Sequence, residues 1–177
     1  MLPCGLSAYK RRKIRKICYD KISLMFIRNL KNFLFTANQA GYAADNPSRE
    51  VKEKNGTTII THSQNDWQMI DSYVGGEPFA GYTKILYQKR AIFAMVYYGK
   101  IISIKEKPAN IYAFLKKALL KMPPDHPYRG PKNFREGEWQ YNNEWQGEIT
   151  EFSGQEKIFH CQKEVFWTKY IGGLVNQ

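Results

Sequence analysis

Trp67-Gln-Met-Ile-Asp-Ser-Tyr-Val-Gly-Gly-Glu-Pro-Phe-Ala-Gly-Tyr-Thr-Lys-Ile-Leu-Tyr-Gln88 is the stretch that decides the fold. Trp67–Val74 reads as one strand, Phe79–Gln88 as the next, and Gly75-Gly76 as the hairpin turn between them. Glycine adopts positive φ without steric penalty, so paired glycines suit such a turn. Ala91–Tyr98 follows at once and is rich in apolar residues, as a central strand would be. Upstream, the turn signal Asn55-Gly56 precedes a β-branched run, Thr57–Thr61. Downstream, Glu138–Trp145, Gly147–Ser153, Lys157–Cys161 and Val165–Tyr170 read as further short strands. Between the two groups lies a helix, Pro108–Lys121, whose Ile111, Tyr112, Phe114, Leu115, Ala118, Leu119 and Met122 form a stripe. Pro123-Pro124 stops it. Runs of strands around one helix predict an α+β fold, not alternating βαβ units. The expected form is a curved antiparallel sheet of six to eight strands packed by one central helix, plus an N-terminal basic amphipathic helix.

That first helix is expected over Ala8–Asn38, with an apolar stripe from Ile14 through Leu30 to Ala37. Residues 1–32 carry nine Lys or Arg against the single acid Asp20, so most of the net charge of +11 belongs to this segment. The chain therefore divides into a basic helical extension, residues 1–32, and a single α+β domain, residues 33–177. The polar stretch from Ala40 to Asn55, with Asn46-Pro47-Ser48, reads as a loop. Three cysteines, Cys4, Cys18 and Cys161, imply no disulfide framework and a reducing, cytoplasmic setting. No run of about 18 apolar residues is present, so no transmembrane segment is expected. The apolar stretch after Lys21 is too short for the hydrophobic region of a signal peptide.

Familiar catalytic motifs are absent: no glycine-rich nucleotide loop, no HExxH, no GxSxG. His62, His126 and His160 are far apart and no CxxC occurs, so no metal site and no cofactor are expected. Asp71 and Glu77 flank the glycine turn. They read either as a carboxylate pair lining a pocket or as solvated acids at the rim of a tight hairpin. In Pro127-Tyr-Arg-Gly-Pro131 two prolines stiffen a loop that carries Arg129. Arg129 reads as an anion clamp, as a cap on the preceding helix, or as a partner of Asp71 or Glu77. Tyr97 and Tyr98 must face opposite sides of their strand. Trp139, Tyr141, Trp145, Phe152, Phe159, Phe166 and Trp167 lack the interleaved basic residues of a stacking platform and read as core and sheet surface. Lys10, Arg11, Arg12, Lys13, Arg15 and Lys16 make the first helix a nucleic-acid contact, a membrane-surface contact or a solvated extension.

Phe33-Leu34, Gly41-Tyr42-Ala43, Asp71 through Gly81, Met95-Val-Tyr-Tyr-Gly99, Phe114 through Leu120, Pro127 through Pro131 and Gly172-Gly173 keep a familiar order and spacing. In these residues the chain, from Phe33 to Leu174, resembles an uncharacterised domain-of-unknown-function family of bacterial proteins. Its members also form the C-terminal part of XRE-type helix-turn-helix transcriptional regulators. The resemblance implies a sensor or partner-binding half beside a separate DNA reader, and this chain has only one basic helix where that reader would be. Family members carry a second acid after the glycine that matches Gly81; here it is Tyr82. Met25, just before the resemblance begins, is a second candidate start.

The expected function is a ligand- or partner-binding module of sensor type, taking a small anionic molecule or a protein. Its contacts would be Tyr73, Glu77, Tyr98 and Arg129, with Asp71 beside them. One alternative is a small hydrolase or transferase using Asp71 or Glu77 as base. Another is a nucleic-acid accessory protein acting through the basic helix. A homodimer stays open.

Overall fold

The computed structural model describes the backbone of residues 8–41, 50–103 and 105–175, and side chains from residue 24 onward within those ranges. The side chains of Lys10, Arg11, Arg12, Lys13, Arg15 and Lys16 therefore lie outside the described residues, as do Cys4, Cys18 and Asn46-Pro47-Ser48. Among the described residues two helices and nine strands follow in order: α1 (Ala8–Ala40), β1 (Glu50–Lys52), β2 (Thr58–Gln64), β3 (Trp67–Val74), β4 (Phe79–Tyr87), β5 (Arg90–Ile101), α2 (Pro108–Leu119), β6 (Asn133–Glu136), β7 (Trp139–Glu148), β8 (Glu151–His160) and β9 (Lys163–Leu174). All pairings are antiparallel, in one open sheet ordered β1-β2-β3-β4-β5-β9-β8-β7-β6. Two meanders thus meet along β5 and β9, and α2 carries the chain from that joint to the far edge.

Nine strands exceed the six to eight expected because two short edge strands are added. The edges β1 and β6 are only three and four residues long. Charged, short and mostly exposed, they lack the apolar run that marks a strand in sequence, and those same traits discourage pairing with another chain. Conversely, Gly147–Ser153 and Lys157–Cys161 are not separate strands. Gly147 (φ +83°) is near the end of β7, paired with Phe152 beside the hairpin turn, and the chain from Glu151 to His160 is continuous. Gly154 interrupts nothing; it is small because a Cβ there would run into the Tyr170 hydroxyl and stand 2.7 Å from the Glu144 carbonyl oxygen.

Both helices cover the same face of the sheet. Strand alternation places Met69, Asp71 and Tyr73, then Gly81, Thr83 and Ile85, then Phe93, Met95 and Tyr97 on it. Past the joint the same face carries Phe166, Thr168, Tyr170, Phe152, Glu156, Ile158, Tyr141 and Asn143. From α1, Leu30, Phe33, Leu34 and Ala37 pack against Met69, Ile85 and Phe93. Leu30 is fully buried, so the structured contact of α1 begins inside the segment assigned to the extension. From α2, Ile111, Phe114, Leu115, Ala118 and Leu119 pack against Tyr141, Ile158 and Phe166. Burial of such stripes is what holds helices of this kind in place. Among the described residues no helix is long and apolar enough to cross a membrane.

Candidate functional site

Between the two cores the covered face turns polar. Asp71 on β3 is 2% exposed and accepts hydrogen bonds from the Thr83 hydroxyl on β4 (2.6 Å) and the Tyr97 hydroxyl on β5 (3.1 Å to each carboxylate oxygen). Beyond it the Arg129 guanidinium donates through Nε (2.9 Å) and Nη2 to Oε1 of Glu156, which has no exposed surface. The Tyr141 hydroxyl donates to the other oxygen of Glu156 at 2.5 Å. Among the described residues Arg129 is the only buried cation, facing two buried carboxylates. Burial pushes the Asp71 carboxyl up from its ordinary value; the bonds from Thr83 and Tyr97 and the charge of Arg129 pull it down without offsetting that desolvation. Burial likewise raises the Tyr141 and Tyr170 hydroxyls, and the charge of Glu156 raises them further.

The loop Pro127–Pro131 is pinned by this network. Gly130 donates its N–H to the Tyr141 hydroxyl (3.0 Å), and its carbonyl accepts from Asn143 Nδ2 (2.9 Å). Asn143 in turn accepts from the Tyr170 hydroxyl at 2.8 Å. Tyr128 stacks on Phe152 at 3.9 Å, nearly parallel. A loop held this closely points its arginine inward to Glu156, not out to solvent or onto the end of α2.

Above Asp71 opens a pocket of ≈ 340 Å³. Asp71, Tyr97 and Arg129 line it from the sheet side, Tyr73, Gly75, Gly76 and Phe79 from the β3–β4 hairpin, and Tyr112, Leu115, Lys116 and Leu119 from one face of α2. Most of its wall is therefore aromatic or aliphatic, with a carboxyl group at its polar end, the usual make-up of a small-molecule site. No Ser, Cys or His is among the described residues lining it. The hairpin tip is clasped to the body by Glu77: its carboxylate accepts from the Ile101 backbone N–H and from the Tyr112 hydroxyl (2.5 Å), which also reaches the Gly76 carbonyl (3.0 Å).

The residues expected at the site are thus divided. Asp71, Tyr73 and Arg129 come together at one pocket. Glu77 is not a partner of Asp71; it is at the rim, occupied in holding the hairpin. Tyr98 points to the opposite face, where it lines a shallow groove of ≈ 740 Å³ with Val96, Ile171 and Lys169. Its neighbour Tyr97 takes the pocket position. Sequence reasoning singles out neither Thr83 nor Glu156, and takes Tyr141 only as core. For Glu156 a signal existed: Phe152, Gly154, Glu156 and Ile158 share a strand phase, which puts a charge on the apolar side of β8.

Residues 71–175 match the family DUF5680, described as a domain of unknown function. The chain belongs to this family. The DUF5680 match begins at Asp71, later than the resemblance from Phe33, and takes in every residue of the polar network and pocket named above. In this DUF5680 domain α1, β1 and β2 lie before the matched span. No curated protein and no solved structure matches the chain.

Proposed function

We propose that this domain is a small-molecule binding module whose ligand occupies the pocket between the β3–β4 hairpin and α2. One observation carries the reading: a nearly dry carboxyl group, Asp71, in a pocket whose wall is mostly aromatic and aliphatic, with Arg129 and Lys116 as the cations that line it. Thr83 donates to Oδ1 and Tyr97 shares its one proton between Oδ1 and Oδ2, so two hydroxyl protons leave part of the carboxylate's four lone-pair sites for a ligand donor. The chemistry favours a ligand different from the anion expected of an arginine loop. Arg129 already has Glu156 as its counter-ion, so the guanidinium is spent on the protein. A flat, largely apolar molecule presenting a cationic or neutral N–H donor fits better. It would exchange burial of its ring against Phe79, Leu115 and Leu119 for a charge-assisted bond to Asp71. A role as the sensing half of a bacterial regulator, which the resemblance to XRE-type proteins implies, agrees with such a pocket.

The test is a thermal-shift screen of amines, amidines, nucleobases and organic acids. A true ligand at a hundred times its dissociation constant adds about 2.7 kcal/mol. For a chain of this length that is a rise of about 5–10 °C. Leu119→Trp, which fills the pocket from α2, removes the shift, and Asp71→Asn weakens it for cationic hits. Hits that survive Leu119→Trp unchanged overturn the assignment. The raised Asp71 pKa also favours a second reading, with Asp71 as a general base. It requires turnover of a bound hit that Asp71→Asn abolishes without loss of binding.

A further inference from the structure

At the end of the sheet remote from the α1 contact, four side chains of three chemical kinds converge. We infer that Glu138, His160 and Cys161 form a binding site for a divalent transition-metal ion of the zinc type, with Glu106 as the carboxylate that orients His160. Glu138 leads into β7, His160 ends β8, and Cys161 begins the β8–β9 turn. The register Trp139↔His160 and the bond from the Cys161 backbone N–H to the Glu138 carbonyl (3.1 Å) bring them side by side. One ligand atom from each of the three lies within 4.8 Å of the others. Glu138 Oε2 is 3.7 Å from His160 Nε2 and 3.2 Å from Cys161 Sγ. Ligand atoms about 2.0–2.3 Å from a tetrahedral zinc ion stand roughly 3.3–3.7 Å from each other. The spacing already present is that of a tetrahedral edge.

The histidine carries the stronger argument. Its Nδ1 is 2.7 Å from Glu106 Oε1. A carboxylate there accepts a hydrogen bond from Nδ1–H and so leaves the Nε2 lone pair, on the side of Glu138, for a metal, the arrangement of carboxylate–histidine–metal triads. Trp139 stacks on the imidazole at 4.1 Å and 15°, which fixes its plane. Imidazole, thiolate and carboxylate together select zinc or cobalt over magnesium or calcium, which prefer oxygen ligands alone. Three protein ligands leave a fourth position, and the exposure of Glu138 and Cys161 leaves it to water or to a partner's side chain.

Cobalt(II) substitution tests this on the full chain, because a cobalt–thiolate bond gives a charge-transfer band in the near ultraviolet. The band is expected on titration with cobalt chloride, and zinc chloride displaces it. Cys161→Ser, which leaves Cys4 and Cys18 in place, removes it; His160→Gln and Glu138→Gln weaken or remove it. Glu106→Gln retains the band with affinity lowered about 10–100-fold. Circular dichroism confirms that each variant is folded. Absence of the band in the parent protein, or its persistence in Cys161→Ser, overturns the site. So does its persistence at full affinity in both His160→Gln and Glu138→Gln, which would leave Cys161 as an isolated thiolate.

Discussion

Arg129→Met removes the one buried cation, among the described residues, from between two buried carboxylates. Glu156 then keeps only the Tyr141 hydroxyl at 2.5 Å and has no exposed surface through which water can replace the guanidinium. Deleting one partner of a buried ion pair costs about 3–5 kcal/mol. That is a fifth or more of the stability of a typical domain. Adding Glu156→Gln to Arg129→Met removes the orphaned charge while preserving a partner for Tyr141. The double variant therefore regains about 2–3 kcal/mol over Arg129→Met, a coupling well beyond additivity. Urea denaturation followed by the fluorescence of Trp67, Trp139, Trp145 and Trp167 reads both numbers. A single variant that loses less than about 1 kcal/mol, or a double variant no more stable than the single, refutes the reasoning that this pair is buried and mutually dependent.

Two further outcomes concern the same region. Gly154→Ala drives a methyl group against the Tyr170 hydroxyl and the Glu144 carbonyl, and chemical denaturation is expected to show a loss of about 1–3 kcal/mol, with the Tyr170–Asn143 bond the first to go. Alkaline pH is destabilising with a defined sign: buried Tyr141 and Tyr170 hold their protons above the usual tyrosine range while the unfolded chain releases them near pH 10, so stability is intact below that pH and falls above it by about 1.4 kcal/mol per pH unit for each. Denaturant midpoints between pH 9 and 11 measure the slope, and Tyr141→Phe should reduce it.

The architecture was legible where the chain states it in runs. The β3–β4 hairpin, β5, α2 and the C-terminal strands follow from turn glycines, aromatic strands and a prolyl-bounded amphipathic helix. The edges β1 and β6 were not, because short charged strands carry no apolar signature. The break expected between Ser153 and Lys157 is absent, and Gly154 in that stretch leaves room for Tyr170 without ending the strand. At the site, Asp71, Tyr73 and Arg129 were legible from turn and loop chemistry. The choice between Tyr97 and Tyr98 was not, since alternation says only that they differ. Glu138 and Cys161 stand far apart in sequence and meet only through the β7–β8 register, which no spacing rule could reveal.

A buried ion pair is a poor way to stabilise a core, since well-packed apolar side chains do as well or better. Its position here accounts for its presence better than stability does. Arg129 lines the pocket wall, its charge acts on Asp71, and the loop that bears it is tied down at Gly130 through Tyr141 and Asn143. The bonds of Asp71 join β3, β4 and β5, and those of Glu156, Tyr141, Asn143 and Tyr170 join the loop to β7, β8 and β9, on the two sides of the joint of the meanders. On the proposed reading, a donor bound at Asp71 changes the charge that Arg129 faces beside Glu156. The pocket and the loop between α2 and β6 are in this way coupled through one guanidinium. In the Arg129→Met, Glu156→Gln double variant the fold is largely restored but that coupling is gone. Ligand binding there, set beside the parent protein, separates the pair's part in stability from its part in setting the charge of Asp71.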